Sequence, residues 1–150
     1  MENSGTPVFQ KPNLIESLFN RCFGFLVGMG LGPKYNYLLQ VRGRKSGKLY
    51  STPVDLLEFD GKRYLVAPRG RTQWVRNAEA TGEIALKKGS WRQSFRLRAV
   101  PVANKPELLK AYLDRFKTAV QPYFPVAAGS DAQAFAVVAA NYPVFELLEN

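Results

Sequence analysis

Short strand-like runs separated by turn signals fill the middle of the chain, and they restrict its fold more than any other feature. Asp60-Gly61 is a typical hairpin turn, and Gly89-Ser90 joins the last two of these runs. Connections this short join antiparallel neighbours, because a parallel crossover needs a dozen or more residues. The sequence therefore favours an antiparallel barrel over a parallel sheet. The predicted strands are 37–41, 50–59, 63–67, 83–87 and 91–102.

Helical patterns surround these strands. A short helix is predicted over 73–80 and ends near Gly82, and a longer one begins at Asn104 or Lys105. A further helix is predicted from residue 130 or 131 to 140, followed by a last strand over 143–148. We interpret the chain as one domain. Its parts are a loose arm (1–11), an amphipathic helix (12–30), the barrel core and its site (36–102), and C-terminal helices with the last strand (103–150).

The N-terminal amphipathic segment leaves its partner open. Its apolar stripe, Leu14 to Leu26, suits packing on the barrel, on a membrane surface or on a second subunit, and we expect core packing. The stretch Cys22–Leu31 contains three glycines and is shorter than the roughly 20 apolar residues of a membrane span. We expect a cytoplasmic protein, a monomer or a homodimer. Peripheral contact of residues 12–30 with the inner face of the plasma membrane stays an alternative.

Two residue counts exclude whole classes of chemistry. The chain has one cysteine, Cys22, so it forms no internal disulfide. It has no histidine, which excludes Ser-His-Asp and Cys-His catalysis and leaves no tetrahedral zinc site to propose. We therefore expect no metal centre.

The positive charge is concentrated in one stretch. The net charge is +9, and residues 42–98 hold 14 basic against 5 acidic side chains, while the flanks balance to zero. Such an excess suggests an anionic partner: nucleic acid, a membrane surface or a polyanionic small molecule. The alternative, which the net charge alone favours, is a surface charge that keeps the protein soluble. Nucleic acid is not expected, because the aromatic residues that would interleave with the cations (Tyr35, Tyr37 and Tyr50) are few.

A basic turn lies between the first two predicted strands. Residues 43–47 read Gly-Arg-Lys-Ser-Gly, and Lys48 follows. Glycine permits positive φ, so we expect several main-chain N–H groups to point at one anion. Arg44 adds a bidentate donor, Lys45 a point charge and Ser46 a hydroxyl. An ordinary solvated hairpin turn is the alternative.

A second candidate segment, residues 68–77, leads from a basic loop into a helix. Helix N-termini present unpaired N–H groups to electron-rich oxygen atoms. Trp74 offers a flat surface to a ring system, and Asn77 offers a donor and an acceptor to ring carbonyls. The alternative is that Trp74 is a core residue and Asn77 an exposed one.

Taken together, these segments resemble the deazaflavin-dependent nitroreductase family, whose members use coenzyme F420. The resemblance is carried by residues 41–47, Thr52-Pro53-Val54, residues 64–68 and Trp74-Val75-Arg76-Asn77-Ala78. It implies a mainly β (α+β) fold: a split β-barrel of the FMN-binding/pyridoxamine-phosphate-oxidase-like type, with antiparallel strands and flanking helices.

The resemblance also implies a cofactor site. The basic turn would hold the phosphate and acidic tail of F420, and the Trp-x-x-Asn segment would lie against the deazaflavin ring. Tyr50 stands where a further cation would be expected. The cofactor-binding residues implied are Arg44, Lys45, Ser46, Gly47, Lys48, Tyr50, Pro53, Ala67, Pro68, Arg69, Gly70, Trp74, Val75 and Asn77.

The implied function is an F420H2-dependent oxidoreductase that passes hydride to an electron-poor acceptor such as a quinone, an activated enone or a nitro compound. Such chemistry needs no histidine, because the cofactor carries the hydride. Tyr123 is the candidate proton donor, and packing at the rim of the substrate pocket is its alternative role. Two rival functions stay open: an FMN-dependent reductase on the same barrel, and a non-catalytic F420 carrier or storage protein.

Overall fold

Six strands close into an antiparallel barrel, and the sequence predicted such a barrel. The computed structural model describes residues 34–150, so the predicted arm (1–11), the amphipathic helix (12–30) and its membrane contact lie outside the described residues. The strands are β1 (Asn36–Arg42), β2 (Leu49–Phe59), β3 (Lys62–Val66), β4 (Glu83–Lys88), β5 (Trp91–Ala99) and β6 (Val144–Glu149). Around the barrel they follow the order β1-β2-β3-β6-β5-β4.

Local turn chemistry fixes the hairpin formed by β2 and β3. Between β2 and β3, Asp60 and Gly61 have φ values of 53° and 76°. Two successive residues with positive φ define the turn whose twist matches that of antiparallel strands. The turn sets the register in which Leu57 faces Tyr64 and Leu56 faces Leu65.

The last strand completes the barrel. β6 pairs antiparallel with β3 on one side and with β5 on the other, so Glu146 faces both Tyr64 and Arg98. The predicted fifth strand, 91–102, was too long, because β5 ends at Ala99. Pro101 has no N–H to offer a neighbouring strand, and a 3₁₀ turn follows it.

Within residues 34–150, three α-helices flank the barrel: α1 (Gln73–Thr81), α2 (Lys105–Val120) and α3 (Ala132–Ala136). α1 ends where predicted, because Gly82 adopts φ 76° and donates its N–H to the Ala78 carbonyl. The helix predicted to extend to residue 140 is interrupted: α3 ends at Ala136, and a separate 3₁₀ turn covers Ala139–Asn141.

Apolar side chains are buried on both faces of the barrel wall. Successive side chains of a strand face opposite sides, so Leu56 and Leu65 fill the barrel while Leu57 and Tyr64 pack outward against α2. This double burial explains why β2 and β3 are apolar on both faces near their shared hairpin. Among residues 34–150, no helix is long and apolar enough to cross a membrane.

Candidate functional site

The basic turn connects β1 to β2 and is held closed by its own main chain. Gly47 has a φ of 74° and donates its N–H to the Gly43 carbonyl at 2.9 Å. Arg42 Nη1 donates to the Gly47 carbonyl at 3.2 Å. Lys45 and Lys48 are exposed on the outside of this turn. The turn therefore presents cations to solvent from a fixed main chain.

Most main-chain donors of the turn are already used. Gly43 N–H donates to the Lys48 carbonyl at 2.7 Å, and Lys48 N–H donates to Ser46 Oγ at 3.1 Å. Arg44 N–H donates to Asn77 Oδ1 at 3.0 Å. Within the turn, this leaves only the amides of Lys45 and Ser46 for the anion contact that the sequence predicted. The side chains that the turn offers to an anion are the cations of Arg44, Lys45 and Lys48 and the Ser46 hydroxyl.

Asn77 on α1 joins the two segments that the sequence singled out. Its Oδ1 accepts from Arg44 N–H and also from Arg44 Nη1 at 2.7 Å. Gln73 Oε1 accepts from the same Arg44 Nη1 at 3.1 Å. Asn77 is only 5% exposed, which excludes the alternative of an exposed helix residue. Arg44 thus donates three hydrogen bonds to side chains of α1. These bonds connect the basic turn to the helix, although Arg44 and Asn77 are 33 residues apart in the chain.

The apolar residues of α1 pack on the barrel end. Val75 is fully buried in a small cluster with Ala67 and Phe145. Trp74 is half-buried, and its ring centroid lies 6.2 Å from that of Phe145 at a tilt of 58°. One part of the Trp74 ring therefore packs in the core, and another part is exposed to solvent. The side chains of Val75 and Ala67 are not available to a ligand, so their predicted contacts would use main-chain atoms.

The loop before α1 contains an unpaired buried oxygen. Gly70 has a φ of 84° and donates its N–H to the Ala67 carbonyl at 3.2 Å, while Pro68 is half-buried beside it. Thr72, the N-cap residue, makes no capping bond with its side chain. Within residues 34–150, its buried Oγ1 has no hydrogen-bond partner. Sequence reasoning missed Thr72, although a threonine directly before a predicted helix start was a visible signal.

Tyr123 lies beside this loop, although 54 residues separate it from Arg69. Arg69 Nη1 donates to Tyr123 Oη at 2.9 Å, and the guanidinium carbon lies 5.1 Å from the Tyr123 ring centroid. The Tyr142 hydroxyl donates to the Tyr123 carbonyl at 2.6 Å. Tyr142 is fully buried and stacked on Phe124, and burial raises the pKa of Tyr142 well above its ordinary value. The candidate proton donor is thus held at its hydroxyl and at its main chain.

Two other predicted residues lie on different parts of β2. Tyr50 is half-exposed beside the basic turn, and a Cβ on Gly43 would meet its ring at 2.7 Å. Glycine at position 43 therefore makes room for Tyr50. Pro53 faces Leu38 on the outer wall, about four residues (roughly 13 Å) along β2 from the turn. Pro53 therefore lies away from the turn itself.

A groove of about 770 Å³ lies elsewhere, between the β2–β3 hairpin and the start of α2. Its lining includes Arg98 and Glu146, which form an ion pair at 2.9 Å. It shares no residue with the predicted cofactor site. In the part of the chain that the structure describes, no group of three or more acidic or cysteine side chains is placed to hold a metal ion.

Fold and site together define a class of protein: a split β-barrel with a rigid cationic turn fastened to a helix that offers a partly open indole. Such a set suits a ligand that joins a ring system to phosphate and carboxylate groups. The unpaired Thr72 Oγ1 supports this fit, because a bound ligand can supply the missing partner.

The family follows from sequence comparison. Residues 17–141 match the model of the F420H(2)-dependent quinone reductase family, and the chain belongs to this family. The chain is therefore an oxidoreductase whose cofactor is F420H2, as the resemblance implied. No curated protein matches the sequence.

Solved structures confirm the fold. The F420-H2 dependent reductase FDR-A has a TM-score of 0.51 at 19% identity, over 76% of this chain and 94% of its own. A FAD-binding protein from Mesorhizobium loti has a TM-score of 0.50 at 14% identity, over 86% and 88%. HutZ, the heme storage protein from Vibrio cholerae, has a TM-score of 0.51 at 8% identity, over 78% and 82%. These names cover three cofactors, so the likeness shows the fold alone.

Proposed function

We propose that this chain transfers hydride from F420H2 to a quinone. The observation that carries the proposal is the direct union of the basic turn with α1 through Arg44 and Asn77. It brings the cations suited to the anionic part of the cofactor next to the helix suited to its ring. The family match supports a quinone as the acceptor.

The basic turn supplies the binding energy. Arg44, Lys45 and Lys48 bind the phosphate and the carboxylates of the tail, and the Ser46 hydroxyl adds a donor. Each charge-assisted contact is worth about 1.5–3 kcal/mol. Because this turn contacts groups remote from the reacting atoms, its removal should weaken binding more than the chemical step.

The loop before α1 and the open side of Trp74 orient the ring. When bound, F420H2 supplies the hydride. The chain's own contribution is to hold the ring with one face open, so that donor and acceptor atoms approach to roughly 3–3.5 Å. Thr72 Oγ1, unpaired among the described residues, is suited to a hydrogen bond with the bound ring system.

Tyr123 supplies the proton that accompanies the hydride. Its Oη already accepts from Arg69, so its own hydrogen points elsewhere, toward a reduced acceptor oxygen. The acceptor gains one hydride and one proton, the quinone becomes a hydroquinone, and Tyr123 regains its proton from water. Arg69 stabilises the negative charge that Tyr123 carries between those two events.

The test is anaerobic oxidation of F420H2 with menadione, cyclohexenone and a nitroarene as acceptors. The wild type should turn over with all three or with a subset that includes menadione, and Tyr123→Phe should be slower by about 10²-fold or more. Arg96→Gln, which removes an exposed cation from the outer wall of β5, is the matched control. Tight binding of F420H2 with no turnover of any acceptor would favour the carrier function instead.

A further inference from the structure

The side chain of Asn77 is committed to Arg44. Its carboxamide oxygen already accepts two hydrogen bonds from Arg44, one from the main chain at 3.0 Å and one from the guanidinium at 2.7 Å. A third partner at that oxygen would compete with both. The residue is also 5% exposed, so it offers little surface to a ligand.

We propose that Asn77 is the positioning residue of the anion site: it fixes the basic turn and orients the Arg44 guanidinium. This inference rests on the proposed function, because it assigns a role in binding the anionic part of F420. In this role Asn77 acts through Arg44 and does not contact the ring.

The geometry explains how one side chain can do this. The turn is a short loop between two strands, and its amides at 43, 47 and 48 bond within the loop. The Arg44 amide is different, because its partner comes from another element, α1. That bond ties the turn to the rigid body of the barrel and removes its freedom to hinge about the ends of β1 and β2.

The same contact orients the guanidinium. Asn77 and Gln73 both accept from Arg44 Nη1. Among the described residues, no hydrogen bond engages Arg44 Nε or Nη2, the opposite edge of the group. That edge has the side-on geometry in which arginine binds an oxyanion with two donors. Holding the arginine in advance reduces the conformational entropy that binding must otherwise overcome.

A double-mutant cycle tests the inference. F420 is titrated by fluorescence into wild type, Asn77→Ala, Arg44→Ala and the double variant, with Arg96→Gln as control. Asn77→Ala should weaken binding about tenfold, and Arg44→Ala at least as much. The double variant should be within about threefold of Arg44→Ala, because residues in one hydrogen-bonded unit are not additive. Additive losses, or an unchanged affinity of Asn77→Ala, would overturn the inference.

Two further readouts separate positioning from ring contact. Hydrogen exchange of the Arg44 amide in the cofactor-free protein should be faster in Asn77→Ala than in wild type. Equal rates would show that Asn77 does not fix the turn. At saturating cofactor, Asn77→Ala should keep the wild-type kcat within about threefold, whereas a ring ligand would lose kcat.

Asn77→Asp keeps the acceptor oxygen if the alanine variant fails to fold. It should keep the slow exchange of the Arg44 amide yet lose F420 affinity, because it adds a negative charge beside the anion site; full affinity would contradict the proposal. Failure of the wild type to bind F420 would overturn the proposed function itself, whatever the exchange rates show.

Discussion

Removing one buried hydroxyl should loosen the candidate proton donor. In Tyr142→Phe the ring that stacks on Phe124 at 4.4 Å is kept, and only the hydrogen bond to the Tyr123 carbonyl at 2.6 Å is lost. Because Tyr142 is fully buried, little room is left for water to replace the missing donor at this part-buried bond. The Tyr123 carbonyl is then left without this partner.

The magnitude follows from the burial of the bond. An acceptor left unpaired in a buried position costs about 1–3 kcal/mol. In a chain of this size, each kcal/mol lowers Tm by roughly 2–4 °C, so the expected decrease is about 2–12 °C. Turnover of a quinone should decrease as well, because Tyr123 loses one of the two contacts that fix it.

Thermal unfolding followed by far-UV circular dichroism measures the decrease in Tm directly. Tyr50→Phe is the matched control for stability, since it removes a hydroxyl from a half-exposed tyrosine and should shift the midpoint little. An unchanged midpoint in Tyr142→Phe would show that the bond to Tyr123 contributes nothing. A loss as large in Tyr50→Phe would refute the argument from burial.

Three further outcomes are expected. Arg69→Met should lower kcat with a menadione acceptor about tenfold while leaving F420 affinity within about threefold, whereas Arg69→Lys should recover part of the rate; equal kinetics in the two variants would contradict a role for the cation. Gly47→Val should cost about 1–2 kcal/mol in urea unfolding, because position 47 adopts a φ of 74°. Above about pH 10 the wild type should lose stability: burial raises the pKa of Tyr112 and Tyr142, so the unfolded chain releases its phenolic protons first and gains stability relative to the fold. A urea midpoint that does not change from about pH 9 to pH 11 would contradict this.

The sequence predicted the barrel because its turns are local. Asp60-Gly61 dictates a hairpin by its own conformational preference, and Gly82 ends α1 in the same way. The interruption after Ala136 was not visible, because the alanine-rich stretch around it is compatible with a continuous helix. Whether the helix continues there depends on how residues after Ala136 pack against the core that β2, β3 and α2 form. A local sequence pattern contains no information on that packing.

In the candidate site, too, the local features were predictable and the long-range contacts were not. Residue types in the basic turn and at the start of α1 identified the two segments, since cations and an aromatic ring suit an anionic ring-bearing ligand. Their hydrogen-bond partners could not be predicted, because each partner lies on another element. Asn77 bonds to Arg44 across 33 residues, and Arg69 bonds to Tyr123 across 54. Periodicity and propensity describe neighbours in the chain and carry no information on such pairs.

Competitive titration of the purified protein with F420 and with FMN tests the central claim most directly: this barrel is built for a polyanionic deazaflavin. F420 carries carboxylates beyond the phosphate, so the cations at Arg44, Lys45 and Lys48 should make its affinity at least about tenfold higher than that of FMN. That advantage should decrease as salt rises, because Lys45 and Lys48 are exposed and their charges are screened within about 10 Å at 0.1 M ionic strength. Tighter binding of FMN, or an F420 affinity that does not respond to salt, would contradict the account.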